Sequence, residues 1–188
     1  MKQTKRRGNK KRTYTKKHYD SNDGMLTTVW GPSTWHLLHT MSFNYPVHPN
    51  CDEKRHYRDF ILSLKHVLPC GKCRKNLCKN FKKLPLLWKH MDSRETFSRY
   101  VYKLHEIIND MLNKKSGLSY DDVRERYEHF RARCSKPADQ KQDEKIGENG
   151  CTEPIYGEKA KCVLKIVPQD TKCDTFQMSE KCEKKRIL

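Results

Sequence analysis

"DSRETFSRYVYKLHEIINDML", residues 92–112, decides how the rest of the chain is read. Phe97, Tyr100, Val101, Leu104, His105, Ile108 and Leu112 recur three and four residues apart, which gathers them on one face of an α-helix. Asp92 with Glu95 forms an N-terminal cap signature ahead of that run. A helix with one apolar face needs partners, and its neighbours in sequence supply them.

On the N-terminal side, Tyr57, Phe60, Ile61, Leu64 and Leu68 write a second amphipathic helix that Pro69 ends. A short helix should follow from Cys70 towards Phe81, closed by "KKLP" (82–85). Further upstream, Pro32 suits the first turn of a helix that places Trp35, Leu38, His39 and Ser42 on one face. Downstream of Gly117, Ser119 caps a helix carrying Val123, Tyr127 and Phe130. Residues 25–134 therefore read as an all-α domain, a compact bundle of five helices (four plus one) with no convincing strand.

The two ends have a different texture. The chain has 40 Lys+Arg against 23 Asp+Glu, a net charge of +17, and only 35% hydrophobic residues, so part of it should not pack. Residues 1–24 read as a disordered basic arm, serving solubility or weak contact with polyanions such as nucleic acid. Residues 135–188 read as a charged, low-order tail with a small β-element within 151–168, where "CVLKIVP" (162–168) is the strand candidate. No apolar run is long enough for a membrane helix, and the basic start lacks the apolar stretch of a secretory signal.

Nine cysteines, an odd number without a secretory signal, point to intracellular redox or metal chemistry rather than a secreted disulfide scaffold. Cys70 and Cys73 form a CxxC where a helix should begin. There the backbone N–H groups, the helix dipole, Lys72 and Arg74 all stabilise a thiolate. That suits a reactive dithiol. A structural pair stays open, as does an irregular zinc site completed by Cys78 and His66, although no second CxxC or HxxxH follows at finger spacing. No Gly-rich dinucleotide fingerprint is present, so any redox cofactor must be held another way. His105, Asn109 and Asn113, at i, i+4 and i+8, make a polar stripe. It is either a wet helix edge or one side of a site for a planar polar ligand, with Trp35 and His39 as aromatic wall.

Four segments in this order, "WGPSTWHLLHTMSFNYP" (30–46), "CGKC" (70–73), "HEIINDMLNKK" (105–115) and "YDDVRERYEHF" (120–130), resemble the Erv/ALR-type FAD-linked sulfhydryl oxidases. The resemblance implies a helical, usually homodimeric bundle cradling FAD with its isoalloxazine beside the CxxC. It implies that substrate dithiols reduce Cys70–Cys73, that electrons pass to FAD and then O2, and that hydrogen peroxide is released. By similarity Cys73 is the flavin-proximal cysteine and Cys70 the one attacked by substrate. Gly31, Trp35, His39 and Tyr45 match the first FAD-contacting segment. His105, Asn109, Asn113 and Lys114 match the second, with Lys114 near the phosphates and Tyr127 closing the pocket.

Two departures stand out. Glu106 replaces the motif's usual asparagine, and Tyr102 and Tyr120 occupy places where the cellular enzymes carry a structural disulfide. The missing disulfide resembles the compact enzymes of large cytoplasmic DNA viruses, implying action in host cytoplasm, a virus factory or the virion. Cys151, Cys162, Cys173 and Cys182 are candidate shuttle cysteines for relaying electrons to the CxxC, alongside incidental thiols or metal. Cys51, Cys78 and Cys134 read as bystanders. The alternatives are a zinc-stabilised nucleic-acid-binding protein and a catalytically silent member of the same family.

Overall fold

The computed structural model describes residues 13–133, 153–168, 170–171 and 177–183. One helical turn, α1 (Lys16–Tyr19), precedes the bundle, so the described part of the basic arm is not wholly irregular as the composition suggested. The bundle consists of α2 (Thr27–Asn44), α3 (Cys51–Val67), α4 (Gly71–Lys83), α5 (Arg94–Met111) and α6 (Tyr120–Glu128). A 3-10 turn at Trp88–Met91 links α4 to α5. All five expected helices are present. No described helix is long and apolar enough to cross a membrane.

Local chemistry sets the boundaries. Asn50 caps α3 through a reciprocal box: its Oδ1 accepts from Glu53 N at 2.9 Å, and Glu53 Oε2 accepts from Asn50 N at 2.8 Å. Leu68, held extended by Pro69, ends it. Ser119 caps α6 by accepting from Asp122 N, as expected. The α5 cap is one residue later than the sequence suggested. Ser93 accepts from Thr96 N at 3.2 Å, because Asp92 is engaged in a 2.8 Å ion pair with Lys54. The start of α2 moves further. The helix begins at Thr27, with Pro32 inside it, because Val29 and Trp30 both donate to the Leu26 carbonyl and the Trp30 indole donates to the Met25 carbonyl.

Two apolar clusters hold the bundle. The larger joins Leu38, Tyr45, Ile61, Leu77, Leu86, Met91, Phe97, Tyr100, Val101 and Leu104 from α2 through α5. Phe60, expected on that face, is instead exposed. The smaller, Phe43, Tyr120 and Val123 with Tyr102, Leu118 and Tyr127, seats α6 on α2 and α5. Here Tyr102 donates to the Leu118 carbonyl at 2.7 Å and the Tyr120 hydroxyl bonds Ser98 Oγ at 2.8 Å, while the two rings meet edge to face. Two tyrosines thus clasp α5 to α6 where a disulfide was missed in the sequence.

A β-element lies within 151–168 as expected, but at its start rather than at 162–168. Ala132–Arg133 (β1) pairs antiparallel with Glu153–Pro154 (β2), so a two-residue strand closes the helical region, while 162–168 has no strand partner among the described residues. Arg131 anchors this junction, donating to the Phe43 carbonyl at 2.6 Å and pairing with Glu128 at 2.8 Å.

Candidate functional site

Cys70 and Cys73 are joined as a disulfide, their Cα atoms 5.2 Å apart. Cys70 is the N-cap of α4 and its sulfur accepts the Cys73 N–H at 3.2 Å. A sulfur in this position meets the positive end of the helix, so the thiolate formed on reduction is stabilised where the sequence placed it. Arg74 braces the loop by donating to the Leu68 carbonyl. Both cysteines are only half-buried and remain open to an attacking thiol.

A segment that the sequence did not single out crosses this pair. Met25 N–H donates to the Pro69 carbonyl at 2.8 Å. Thr27, the first residue of α2, sets its hydroxyl 3.4 Å from Cys73 Sγ. Its exposed position ahead of the aromatic pattern offered no signal.

Further along α2, side chains from three helices gather. The Trp35 and His105 rings stack at 3.9 Å with 6° between their planes. His39 Nε2 meets His105 Nδ1 at 2.9 Å, and His36 Nδ1 meets the Tyr127 hydroxyl at 3.3 Å. Phe43 and Phe130 complete the aromatic wall around Tyr127. The sequence missed His36 as a member, although its spacing of three from His39 was a usable signal.

Burial dominates the electrostatics. It pushes His39 down to about 3, with the neighbouring His105 and His36 charges adding to the effect. Burial also takes His105 down to about 4, against a small upward pull from Glu106. Both imidazoles are neutral at ordinary pH, so each has one donor and one acceptor nitrogen. Burial raises the Tyr127 phenol, keeping it protonated.

A planar polar ligand fits these residues. His39 Nδ1 is buried without a partner among the described residues, a cost that a bound polar group would remove. Gly31 presents bare backbone on the same helix, where an added Cβ would find only the Thr27 methyl at 3.5 Å. From Thr27 to Trp35 the helix rises about 12 Å, so a ligand reaching both the disulfide and the aromatic cluster must be long. A dinucleotide has that length and carries two planar ends.

The remaining expected residues separate. Asn109 lies on α5, its amide donating to Glu106 Oε1 at 3.0 Å. Asn113 and Lys114 lie beyond the end of α5 rather than on a third turn of the stripe, and both are exposed. Tyr45 is not part of the cluster. It is completely buried between Tyr57 and Phe97, and its hydroxyl donates to the Met91 carbonyl. Of the candidate shuttle cysteines, Cys162 and Cys182 are free thiols, while Cys151 and Cys173 lie outside the described residues. Cys134 lies outside them too, and Cys78 lines a shallow groove between α3 and α4 with Leu62 and Phe81.

Residues 32–128 match the family model described as the Erv1 / Alr family. The chain is 34% identical over 104 residues to a probable FAD-linked sulfhydryl oxidase of Acanthamoeba polyphaga mimivirus, covering 55% of this chain and 72% of that protein. It is 31% identical over 99 residues to an FAD-linked sulfhydryl oxidase of African swine fever virus, covering 53% of this chain and 80% of that one. The crystal structure of the FAD binding domain of Erv1 from Saccharomyces cerevisiae is similar in fold, with a TM-score of 0.50 and 26% identity. The match covers 55% of this chain and 94% of that one. With its helical bundle, its capped CxxC disulfide and these similarities, the chain belongs to the Erv1/Alr family.

Proposed function

We propose that the chain is an FAD-linked sulfhydryl oxidase that forms disulfide bonds in thiol substrates. The observation that carries this reading is one helix with two chemistries. The start of α2 touches Cys73 of the Cys70–Cys73 disulfide, and its later turns carry the Trp35–His39–His105 cluster. A substrate thiolate attacks Cys70, the N-cap sulfur, and Cys73 leaves; the second substrate thiol then frees Cys70. FAD, when bound, supplies a two-electron acceptor that O2 reoxidises, with release of hydrogen peroxide.

Trp35, His39, His105 and Tyr127 are assigned to the cofactor's aromatic groups, Gly31 to close backbone approach, Asn109 to a polar edge and Lys114 to the phosphates. Asn113 is assigned to the cofactor's polar edge and, with its positive φ, to the turn that leads to Lys114. The oxidase domain is assigned to residues 25–134, with the basic arm before it and the tail after it. In the tail, Cys162 and Cys182 are the described candidates for an electron relay, with Cys151 and Cys173 as their counterparts. The viral relatives support a viral origin; action in host cytoplasm or a virus factory, and a homodimer as the working assembly, are carried over from the family resemblance.

Purified protein is expected to show flavin absorption in the visible and to produce peroxide only when a dithiol is supplied. A correctly folded but colourless protein would overturn the assignment.

A further inference from the structure

We propose that the hydroxyl of Thr27 is the hydrogen-bond donor that stabilises Cys73 as a leaving thiolate. This rests on the oxidase reading above. The contact is 3.4 Å from Thr27 Oγ1 to Cys73 Sγ. A disulfide sulfur carries no proton, so in this state the hydroxyl is the donor.

The two sulfurs of the pair are served differently. Cys70 receives the Cys73 backbone N–H and sits at the positive end of α4. That arrangement alone would favour the negative charge on Cys70 after reduction. Thr27 supplies Cys73 with a donor of its own, from a different helix. A donor to a thiolate is stronger than the same donor to a neutral disulfide sulfur, so the contact favours the reduced state and the path leading to it.

The step balances as follows. A substrate thiolate, its proton already given to solvent, attacks Cys70 Sγ. The Cys70–Cys73 bond breaks and its electron pair stays on Cys73, facing the Thr27 hydroxyl. The second substrate thiol then attacks the mixed disulfide, closing the substrate disulfide and transferring its proton to the departing Cys70. Two electrons and one proton have entered the pair, and the other proton is in solvent. A leaving sulfur of lower proton affinity leaves faster, which is what a donor at Cys73 provides.

The contact depends on the segment in front of α2 lying flat on the CxxC loop. Met25 N–H is bonded to the Pro69 carbonyl at 2.8 Å. A Cβ at Gly24 would stand 2.9 Å from the Pro69 oxygen and 3.1 Å from Cys70 Cα, both backbone atoms that cannot move aside. Glycine is required there for approach, and the approach places Thr27.

Thr27→Val keeps the side-chain shape and removes the donor, whereas Thr27→Ser keeps the donor and trims a methyl. The full-length proteins are equilibrated with glutathione redox buffers, and Cys70 and Cys73 are quantified by thiol alkylation and peptide mass. This reading needs neither oxygen nor turnover. Thr27→Val should lower the equilibrium constant for reduction of the pair about fivefold and slow its reduction by dithiothreitol by a similar factor. Thr27→Ser should match the wild type. Gly24→Ala should shift the equilibrium in the same direction as Thr27→Val with the hydroxyl still present. Wild-type behaviour in Thr27→Val, or a defect in Thr27→Ser equal to that of Thr27→Val, would overturn the proposal. A wild type whose Cys70–Cys73 pair does not respond to glutathione would overturn the oxidase reading itself.

Discussion

The two ends of α2 are built on opposite terms. At its start, Thr27 is exposed, meets a half-buried disulfide, and is positioned by backbone contacts around Gly24 and Met25. Two turns later the helix reaches an aromatic cluster in which His39 is 3% exposed, the Trp35, His105 and Tyr127 rings around it are half-buried, and both His39 and His105 are held neutral. Thiol exchange needs an incoming sulfur to reach its target, so the redox end stays open. Holding a planar ligand needs water excluded and rings fixed, so the other end is closed. One helix can join two such regions because its turns are rigid but its ends face different surroundings.

If the two ends have separate duties, breaking one must spare the other. Cys73→Ser is expected to lower dithiol oxidation by more than about a thousandfold, since no intramolecular acceptor remains for the substrate's electrons. The same variant should keep its yellow colour. Loss of flavin along with activity would show that the ends are one site.

Acid bears on the aromatic cluster through its two neutral histidines. His39 and His105 sit at about 3 and about 4 in the folded protein, below the ordinary 6.5. As pH falls below 6.5 the unfolded chain takes up protons that the folded one refuses, so stability present above 6.5 drains away towards pH 4. Glu128 and Asp122, whose carboxyls are held below their usual range by hydrogen bonds from Arg131 and Ser119, add their loss only at still lower pH. The unfolding free energy of flavin-free protein, measured by denaturant titration, should therefore fall by several kcal/mol from about pH 7 to about pH 4, and more gently in His39→Gln. A flat profile would mean that the cluster is wet. At fixed pH, Trp35→Ala should weaken FAD binding about tenfold to a hundredfold through loss of its stacked face, measured by titration of the flavin-free protein. Its glutathione equilibrium at Cys70–Cys73 should not move.

These contrasts were unevenly legible in the sequence. The five helices were, because apolar spacing and the Ser119 and Cys70 starts act within a few residues of chain. The pairing of Trp35 with His105 was visible only as two sides of one candidate site, a wall and a polar stripe, since stacking at 3.9 Å joins residues 70 positions apart. Thr27 was invisible. A pattern search stops at Pro32, whereas the true start depends on Trp30 reaching back to Met25 and on Gly24 resting against Pro69. Tyr45 misled for the converse reason: its place in a resembling motif says nothing of where the chain turns after Asn44, and that turn buries it.

Asn113 is the subtlest of these cases and gives the smallest expected effect. Spacing put it on the polar stripe of α5, yet the helix has already stopped, and Asn113 has a positive φ of 54°. Its N–H donates to the Asp110 carbonyl, and that of Lys114 donates to the Asn109 carbonyl at 2.9 Å. This is the double bond of a Schellman stop with the left-handed residue at Asn113, a conformation asparagine tolerates better than any residue except glycine. The residue that resembles a cofactor ligand is thus also required by the backbone. The two duties separate by substitution. Asn113→Gly should leave stability within about 0.5 kcal/mol of the wild type, whereas Asn113→Ala should cost about 1 kcal/mol. If Asn113→Gly nevertheless releases FAD in titration, its side chain touches the cofactor. If FAD stays bound, the turn alone accounts for the asparagine, and the closed end of the site is complete at Asn109.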